Sequence, residues 1–291
     1  MAWLVKIVLL VALGLIVGSY LTSRLMTNPP RRRGTWPLDF PAEGLPQEII
    51  SFDGTKLTGM LVPVENGKGT VIIVHGLGDC KESYAEHAGF LARNGYSVLL
   101  FDLRAHGRSG GKRSTMGDKE SRDILSAIEL LEEKGVDRKG VCLWGVSLGA
   151  TSSLLAAVES DRVKGVIAES PFLSLEKTVA HHAKLLFRLP KFPVVHLILL
   201  ISKLRTGVRV SQIDVERILP RLKGVPVFFI GGMADRRMPP GTIRKLYDEK
   251  EGKKWLWLVP DAAHCEPYAI AEEVYKRKVL KFLGELWPGE A

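Results

Sequence analysis

The fold is decided by the stretch Val141-Cys142-Leu143-Trp144-Gly145-Val146-Ser147-Leu148-Gly149. Its last five residues fit the pattern G-x-S-x-G, in which the glycines permit a sharp, strained turn from a strand into a helix. The apolar residues before the pattern predict the strand, and the small, apolar residues 148–158 predict the helix. Such a turn would leave the Ser147 hydroxyl exposed above a sheet. The alternative is a serine that only caps a helix between two glycines.

Short apolar runs alternate with segments of helical spacing on both sides of this stretch. The runs are rich in β-branched and aromatic residues, which is typical of strands, and they cover residues 48–52, 56–64, 70–75, 97–102, 141–145, 163–168, 225–230 and 255–259. Continuous apolar strands that alternate with helices predict an α/β fold, with a mostly parallel central sheet and helices on both faces. In such a sheet the functional site lies at the carboxyl ends of the strands.

The segment of about residues 172–222 interrupts this alternation. It contains several prolines, two adjacent histidines and the apolar run 194–201. About 50 residues is long for a connection inside a compact domain, so the segment predicts a helical cap insertion. The alternative is one more connecting helix.

A serine nucleophile needs a base to accept its proton and an acid to orient that base. Both residue types follow late predicted strands: Asp235 comes after 225–230, and His264 comes after 255–259. We therefore predict Ser147 as the nucleophile, His264 as the base and Asp235 as the acid. Asp261, three residues before the histidine, is the alternative acid.

The negative charge that develops on the substrate oxygen during such a reaction needs two preorganised N–H donors. One is predicted at Leu148, the residue after the serine. The other is predicted at Leu77, where Gly76 and Gly78 let the backbone approach a substrate. His75, at the start of the same turn, is predicted to shape the loop.

Two further motifs carry a resemblance to known proteins. The order nucleophile, acid, base is that of α/β-hydrolases, and the sequences F-D-L-R-A-H-G-R-S at 101–109 and D-R-R-M-P at 235–239 resemble loops of that superfamily. From about residue 47 to 287 the chain resembles its serine-aminopeptidase-like branch of lipase and esterase relatives. Met238 stands where valine is more usual, and Asp261 stands where a glycine commonly precedes the histidine.

The resemblance implies an α/β-hydrolase fold and structural roles for Asp102, Arg104 and His106. It also implies hydrolysis through an acyl-enzyme, which esters, thioesters and amides can all form. We expect a hydrolase of carboxylic esters, acting on a small-molecule ester or a lipid-like substrate. A serine peptidase or aminopeptidase and a thioesterase are the alternatives, and a non-catalytic binding protein of the same fold is a further one.

The amino-terminal segment is predicted to be a transmembrane anchor over residues 1–27. Residues 2–21 are apolar except for Lys6, Ser19 and Tyr20, and 20 helical residues reach about 30 Å, the hydrocarbon thickness of a bilayer. A cleaved signal peptide is the alternative. Residues 28–46, rich in proline and arginine, are predicted to be an extended linker. The arginines after the span favour a cytoplasmic catalytic domain. Lys6, before the span, favours the opposite orientation.

Charge and cysteine spacing exclude other function classes. The formal net charge is +9, but five of these charges lie in residues 1–34, so the folded part is only mildly basic and no nucleic-acid partner is expected. No P-loop, dinucleotide fingerprint, C-x-x-C pair or H-E-x-x-H motif is present in the sequence, so we expect neither a cofactor nor a metal. Cys80, Cys142 and Cys265 are predicted to be unpaired.

Overall fold

An eight-stranded, mostly parallel sheet forms the centre of the protein, in the computed structural model that describes residues 1–37, 40, 44–136 and 138–289. The strands are β1 (Leu45–Ile50), β2 (Lys56–Val62), β3 (Gly69–Val74), β4 (Tyr96–Phe101), β5 (Val141–Val146), β6 (Val163–Glu169), β7 (Val227–Gly232) and β8 (Lys254–Val259). Their order is β1-β2-β4-β3-β5-β6-β7-β8. The pairs β1–β2 and β2–β4 are antiparallel, and the other five are parallel.

Ten helices accompany the sheet within the described residues. They are α1 (Ala2–Thr27), α2 (Ala85–Arg93), α3 (Asp118–Glu133), α4 (Leu148–Ala157), α5 (Leu175–Phe187), α6 (His196–Thr206), α7 (Val215–Ile218), α8 (Pro240–Glu249), α9 (Pro267–Ile270) and α10 (Glu272–Leu286). Short 3₁₀ turns connect several of them.

The central strands β3 to β7 are buried on both faces, as the continuous apolar strands predict. Along β3, Ile72 belongs to the hydrophobic cluster under α3 and α4, whereas its neighbours Val71 and Ile73 belong to the cluster under α2 and α10. This alternation follows from the period of two along a strand. The expected α/β architecture is therefore confirmed.

The first strand begins earlier than its sequence pattern indicates. β1 starts at Leu45, inside the predicted linker, because that residue already pairs with Leu61 of β2. Residues 28–37 have no regular secondary structure, but they contact the folded domain: the Arg31 guanidinium donates to the carbonyl oxygens of Ser109 and Gly111. Contacts so distant along the chain leave no local pattern in the sequence. Residues 38, 39 and 41–43 of the predicted linker lie outside the described residues.

The amino-terminal segment forms one helix, α1. Of the described residues, this is the one continuous helix that is long and apolar enough to cross a membrane. Between β6 and β7 the chain forms α5, α6 and α7, and the axes of α5 and α6 are bent by 113°. These helices occupy the predicted cap.

Candidate active site

The turn between β5 and α4 places Ser147 at the carboxyl end of the sheet. Ser147 has φ 53° and ψ −112°, a conformation that costs free energy for any residue with a side chain. Gly145 and Gly149 make it possible, because a Cβ at Gly145 would lie 2.3 Å from the Gly149 carbonyl oxygen, and one at Gly149 would lie 2.1 Å from that of Val74. The two glycines of the motif are therefore required by close backbone packing.

Two hydrogen bonds connect Ser147, His264 and Asp235. His264 Nε2 lies 3.0 Å from Ser147 Oγ, and His264 Nδ1 lies 2.8 Å from Asp235 Oδ2. Because an ionised carboxylate can only accept, Nδ1 carries the proton and Nε2 is left to accept the serine hydroxyl proton. This arrangement is the one that general-base activation of a serine requires.

Asp235 is held in place from two directions. Its Oδ1 accepts the backbone N–H groups of Arg237 and Met238 at 2.9 and 2.8 Å, and its Oδ2 accepts the Ser170 hydroxyl at 3.2 Å. Burial raises the pKa of Asp235, but the hydrogen bonds from His264 and the two amides outweigh it and bring the pKa below its ordinary value. The carboxylate is therefore ionised at neutral pH. The alternative acid, Asp261, is exposed.

The predicted donors to a substrate oxyanion lie beside Ser147. Leu148 is the first residue of α4, so its N–H has no acceptor within the helix. In the turn after β3, a Cβ at Gly76 would lie 3.5 Å from the Ser147 Cβ, and Leu77 lines the same cavity as Ser147. Both positions can present an N–H to the carbonyl oxygen of a substrate whose carbonyl carbon the serine attacks.

His75 fixes this turn rather than facing a substrate. Its Nε2 accepts the Leu103 N–H at 3.0 Å, so its Nδ1 donates to the Gly76 carbonyl oxygen at 2.7 Å. Burial lowers the pKa of His75, which keeps the ring neutral and able to make both bonds. The ring thereby joins the turn after β3 to the loop after β4.

The loop after β4 contains a buried network of charges. Arg104 donates to Asp123 at 2.6 and 2.8 Å and to Asp53 at 2.9 Å. Asp102 accepts Lys81 Nζ at 2.7 Å, and His106 Nδ1 donates to the Arg104 carbonyl oxygen at 2.8 Å. None of these side chains lines the cavity at Ser147. Their contacts are those of a loop scaffold, the role that the resemblance implies for Asp102, Arg104 and His106.

A cavity of about 520 Å³ leads to Ser147. Most of its lining is apolar, and part of it comes from α5, including Val179, Leu186 and Phe187. Its walls also include Thr22, Leu25 and Met26, from the end of α1. No sequence pattern indicated that the amino-terminal helix reaches the site, because this contact depends on tertiary packing alone.

Glu169, at the end of β6, is another residue beside the site that the sequence analysis missed. Its carbonyl oxygen accepts the Ser147 N–H at 2.8 Å, and its Oε2 accepts the Tyr275 hydroxyl at 2.6 Å. Burial raises the pKa of Glu169 to about 7. An acidic residue directly after an apolar strand was the available signal, since polar residues at carboxyl ends of strands cluster at the site.

His182 of α5 also lines the cavity, although the sequence analysis assigned it to the cap without a role. No group of three or more side chains suited to hold a metal ion occurs among the residues that the structure describes.

Comparison with known proteins identifies the family of the chain. Residues 65–212 match the family described as Serine aminopeptidase, S33. The chain belongs to this family of α/β-hydrolases. It superposes on the esterase Pf2001 of Pyrococcus furiosus with a TM-score of 0.76 and 32% identity, covering 91% of this chain and 99% of that one. The α/β-hydrolase fold is thereby confirmed.

Two curated relatives extend the likeness. The Uncharacterized protein YqkD of Bacillus subtilis is 29% identical over 82% of this chain and 78% of its own length. The Uncharacterized membrane protein YNL320W of Saccharomyces cerevisiae is 28% identical over 84% of this chain and 82% of its own length. The likeness therefore covers most of each chain.

Proposed function

We propose that this protein is a serine esterase that hydrolyses carboxylic esters of acyl, lipid-like substrates. Ser147 is the nucleophile, His264 the general base and Asp235 the acid that orients it. The observation that carries the proposal is the pair of hydrogen bonds of 3.0 and 2.8 Å that joins these side chains at the end of a largely apolar cavity. The likeness to a solved esterase supports the same activity.

Acylation proceeds in two steps. Ser147 Oγ forms a bond to the ester carbonyl carbon while its proton passes to His264 Nε2, and the carbonyl π electrons move to the oxygen. Collapse of this intermediate breaks the bond to the alkoxy oxygen, which takes the proton from His264 and leaves as an alcohol. Asp235 stabilises the imidazolium that exists between the two steps.

Deacylation repeats these steps with water. A water molecule adds to the carbonyl carbon of the acyl-enzyme and gives a proton to His264. The second intermediate then releases Ser147 Oγ, which takes that proton back, and the carboxylic acid departs. In both intermediates the Leu77 and Leu148 N–H groups donate to the oxyanion, an interaction typically worth about 3 kcal/mol per donor in such enzymes.

The lining of the cavity favours an acyl substrate over a peptide with a charged amino terminus. A peptide amino terminus carries a charge that an apolar wall does not solvate, whereas an acyl chain gains about 0.8 kcal/mol for each methylene that it buries. The peptidase and thioesterase alternatives use the same three residues and are separated from the esterase by substrate alone.

The proposal includes membrane attachment through α1. Large apolar side chains along its first turns are exposed, among them Val8 and Leu10, and Trp3 and Tyr20 lie near the two ends of the predicted span, where such rings prefer the headgroup layer. The arginines that follow the span favour a cytoplasmic catalytic domain, whereas Lys6 favours the opposite orientation.

Fluorophosphonate labelling and an ester panel test the proposal on the full-length protein. The label should modify Ser147 in the wild type and be absent from the Ser147→Ala variant. We expect hydrolysis of p-nitrophenyl esters to exceed that of aminoacyl anilides and acyl thioesters. Faster cleavage of the anilides would establish the peptidase, and faster cleavage of the thioesters would establish the thioesterase. Absence of both labelling and turnover would establish the remaining alternative, a non-catalytic binding protein of the same fold.

A further inference from the structure

The end of α1 is docked on α6 by polar side chains. Ser202 donates to Ser23 at 2.9 Å, and Arg205 donates to Ser23 and Thr27 at 3.1 and 2.8 Å. Ser19, one turn earlier on the same face of α1, is also buried. The helix is therefore fixed to the domain over its last turns.

These contacts fix the position of α6 along the axis of α1, here called its level. The pairs Ser23–Ser202 and Thr27–Arg205 are separated by 179 and 178 positions, so the helices run parallel and almost in step. Both rise about 1.5 Å per residue. Val194, just before α6, is therefore level with about Leu15 of α1.

This level lies inside the predicted membrane span. A span over residues 2–21 ends at Leu21, six residues beyond Leu15, which corresponds to about 9 Å along the helix. The chain between α5 and α6, residues 188–195, is here called the elbow. If α1 crosses the bilayer, the elbow must lie in the leaflet that adjoins the domain.

The side chains of the elbow and the end of α5 suit that position. Phe192 is 75% exposed, and Leu186 and Phe187 are 64% and 57% exposed. Apolar side chains of this size are rarely exposed together on a soluble surface. Arg188 and Lys191 stand between them, and their long side chains can reach the headgroups while their stems stay in the apolar layer.

The mouth of the catalytic cavity opens beside the elbow but nearer the domain, because the α1 residues in its lining, Thr22, Leu25 and Met26, follow Leu21. Leu25, Leu186 and Phe187 line the cavity and are also well exposed, so they form its rim. Thr22 and Met26 of α1 form part of its wall. The anchor helix and the elbow thus border one opening.

We infer that the cavity opens into the leaflet that adjoins the domain, and that α1 forms one wall of the acyl-binding site. The substrate class is an acyl ester dissolved in that leaflet, which enters sideways from the bilayer between α1 and α5. This inference rests on the proposed esterase function, and it assigns a substrate-contacting role to the membrane anchor.

Depth measurement tests the position of the elbow. The full-length protein carries Cys265→Ser and Phe192→Cys, and a nitroxide is attached to the new cysteine. The labelled protein is reconstituted into vesicles of phosphatidylcholine and phosphatidylglycerol. Cys80 and Cys142 are buried and stay unlabelled. We expect the label to collide with oxygen and to be shielded from a water-soluble nickel chelate. The matched control is Ile50→Cys on β1, also exposed and apolar, which should remain accessible to nickel. Equal nickel access at both positions would overturn the inference.

Selectivity for the length of the acyl chain tests whether α1 forms a wall of the acyl-binding site. Met26→Trp narrows the cavity, and we expect its kcat/KM for p-nitrophenyl palmitate to fall at least about tenfold relative to that for the butyrate. Leu13→Trp, on the exposed part of α1, should leave this ratio unchanged. Equal losses for both esters, or the same shift in the Leu13 variant, would overturn the inference. Absence of ester hydrolysis by the wild type would instead contradict the proposed function.

Discussion

Glu169 should make the stability of the protein fall as the pH rises, and Glu169→Gln should remove this effect. Its carboxyl is buried and hydrogen-bonded to the Tyr275 hydroxyl at 2.6 Å. Burial raises its pKa from the ordinary 4.5 to about 7 in the folded protein. Between these two values the folded state binds the proton more strongly than the unfolded state, so stability is lost as pH increases.

The magnitude follows from the difference in pKa. At about 1.36 kcal/mol per pKa unit, a shift from 4.5 to about 7 changes the free energy of unfolding by about 3.4 kcal/mol in total. About 2.5 kcal/mol of this is lost between pH 5 and pH 8. Glutamine cannot ionise, and its carbonyl oxygen can still accept the Tyr275 hydroxyl. The free energy of unfolding of the variant should therefore change less over this range.

Urea unfolding of the full-length protein, followed by tryptophan fluorescence, measures the effect. Trp144 stacks on Tyr275 with ring centroids 5.6 Å apart and reports on this part of the core. The wild type should lose about 2.5 kcal/mol relative to Glu169→Gln between pH 5 and pH 8. Glu129→Gln, on the exposed surface of α3, is the control and should follow the wild type. Parallel pH profiles for wild type and Glu169→Gln would refute the reasoning.

Three further predictions concern the site. Ser147→Ala should lower kcat on a p-nitrophenyl ester by about 10⁴ to 10⁶, measured by steady-state kinetics, and a loss below tenfold would contradict its role. Asp235→Asn should lower kcat far more than Asp261→Asn in the same assay, and the reverse order would make Asp261 the acid. Gly149→Ala should unfold at a lower urea concentration than the wild type, because its Cβ would lie 2.1 Å from the Val74 carbonyl oxygen. The control is Gly284→Ala on α10, which has open space around it and should leave the free energy of unfolding unchanged or raise it by about 1 kcal/mol. Equal midpoints would contradict this account of the motif.

The architecture was accessible from sequence because local patterns determine it. The apolar run before Ser147 and the small residues after it form β5 and α4, and the alternation of strands and helices implies a parallel sheet. That Asp235 and His264 meet at the same edge follows from the same topology, since both stand after neighbouring strands. Their catalytic roles stay predictions.

The contacts of the amino-terminal region were not accessible from sequence. Nothing local to Met26 indicates that it lines a cavity with Ser147, and nothing local to Arg31 indicates a hydrogen bond to the loop at Ser109. Both contacts join positions far apart along the chain, so they follow from tertiary packing alone. The role of Glu169 was hidden for a related reason, because its partner Tyr275 lies on α10, more than 100 residues later.

Rapid-quench mass spectrometry of the acyl-enzyme tests the central claim most directly. Full-length protein is mixed with a p-nitrophenyl ester, quenched in acid during the first turnover and digested. We predict one acyl group per chain on the peptide that contains Ser147, and none in Ser147→Ala. Acylation of Cys265, which lines the same cavity beside His264, or turnover without any acylated peptide would contradict the account.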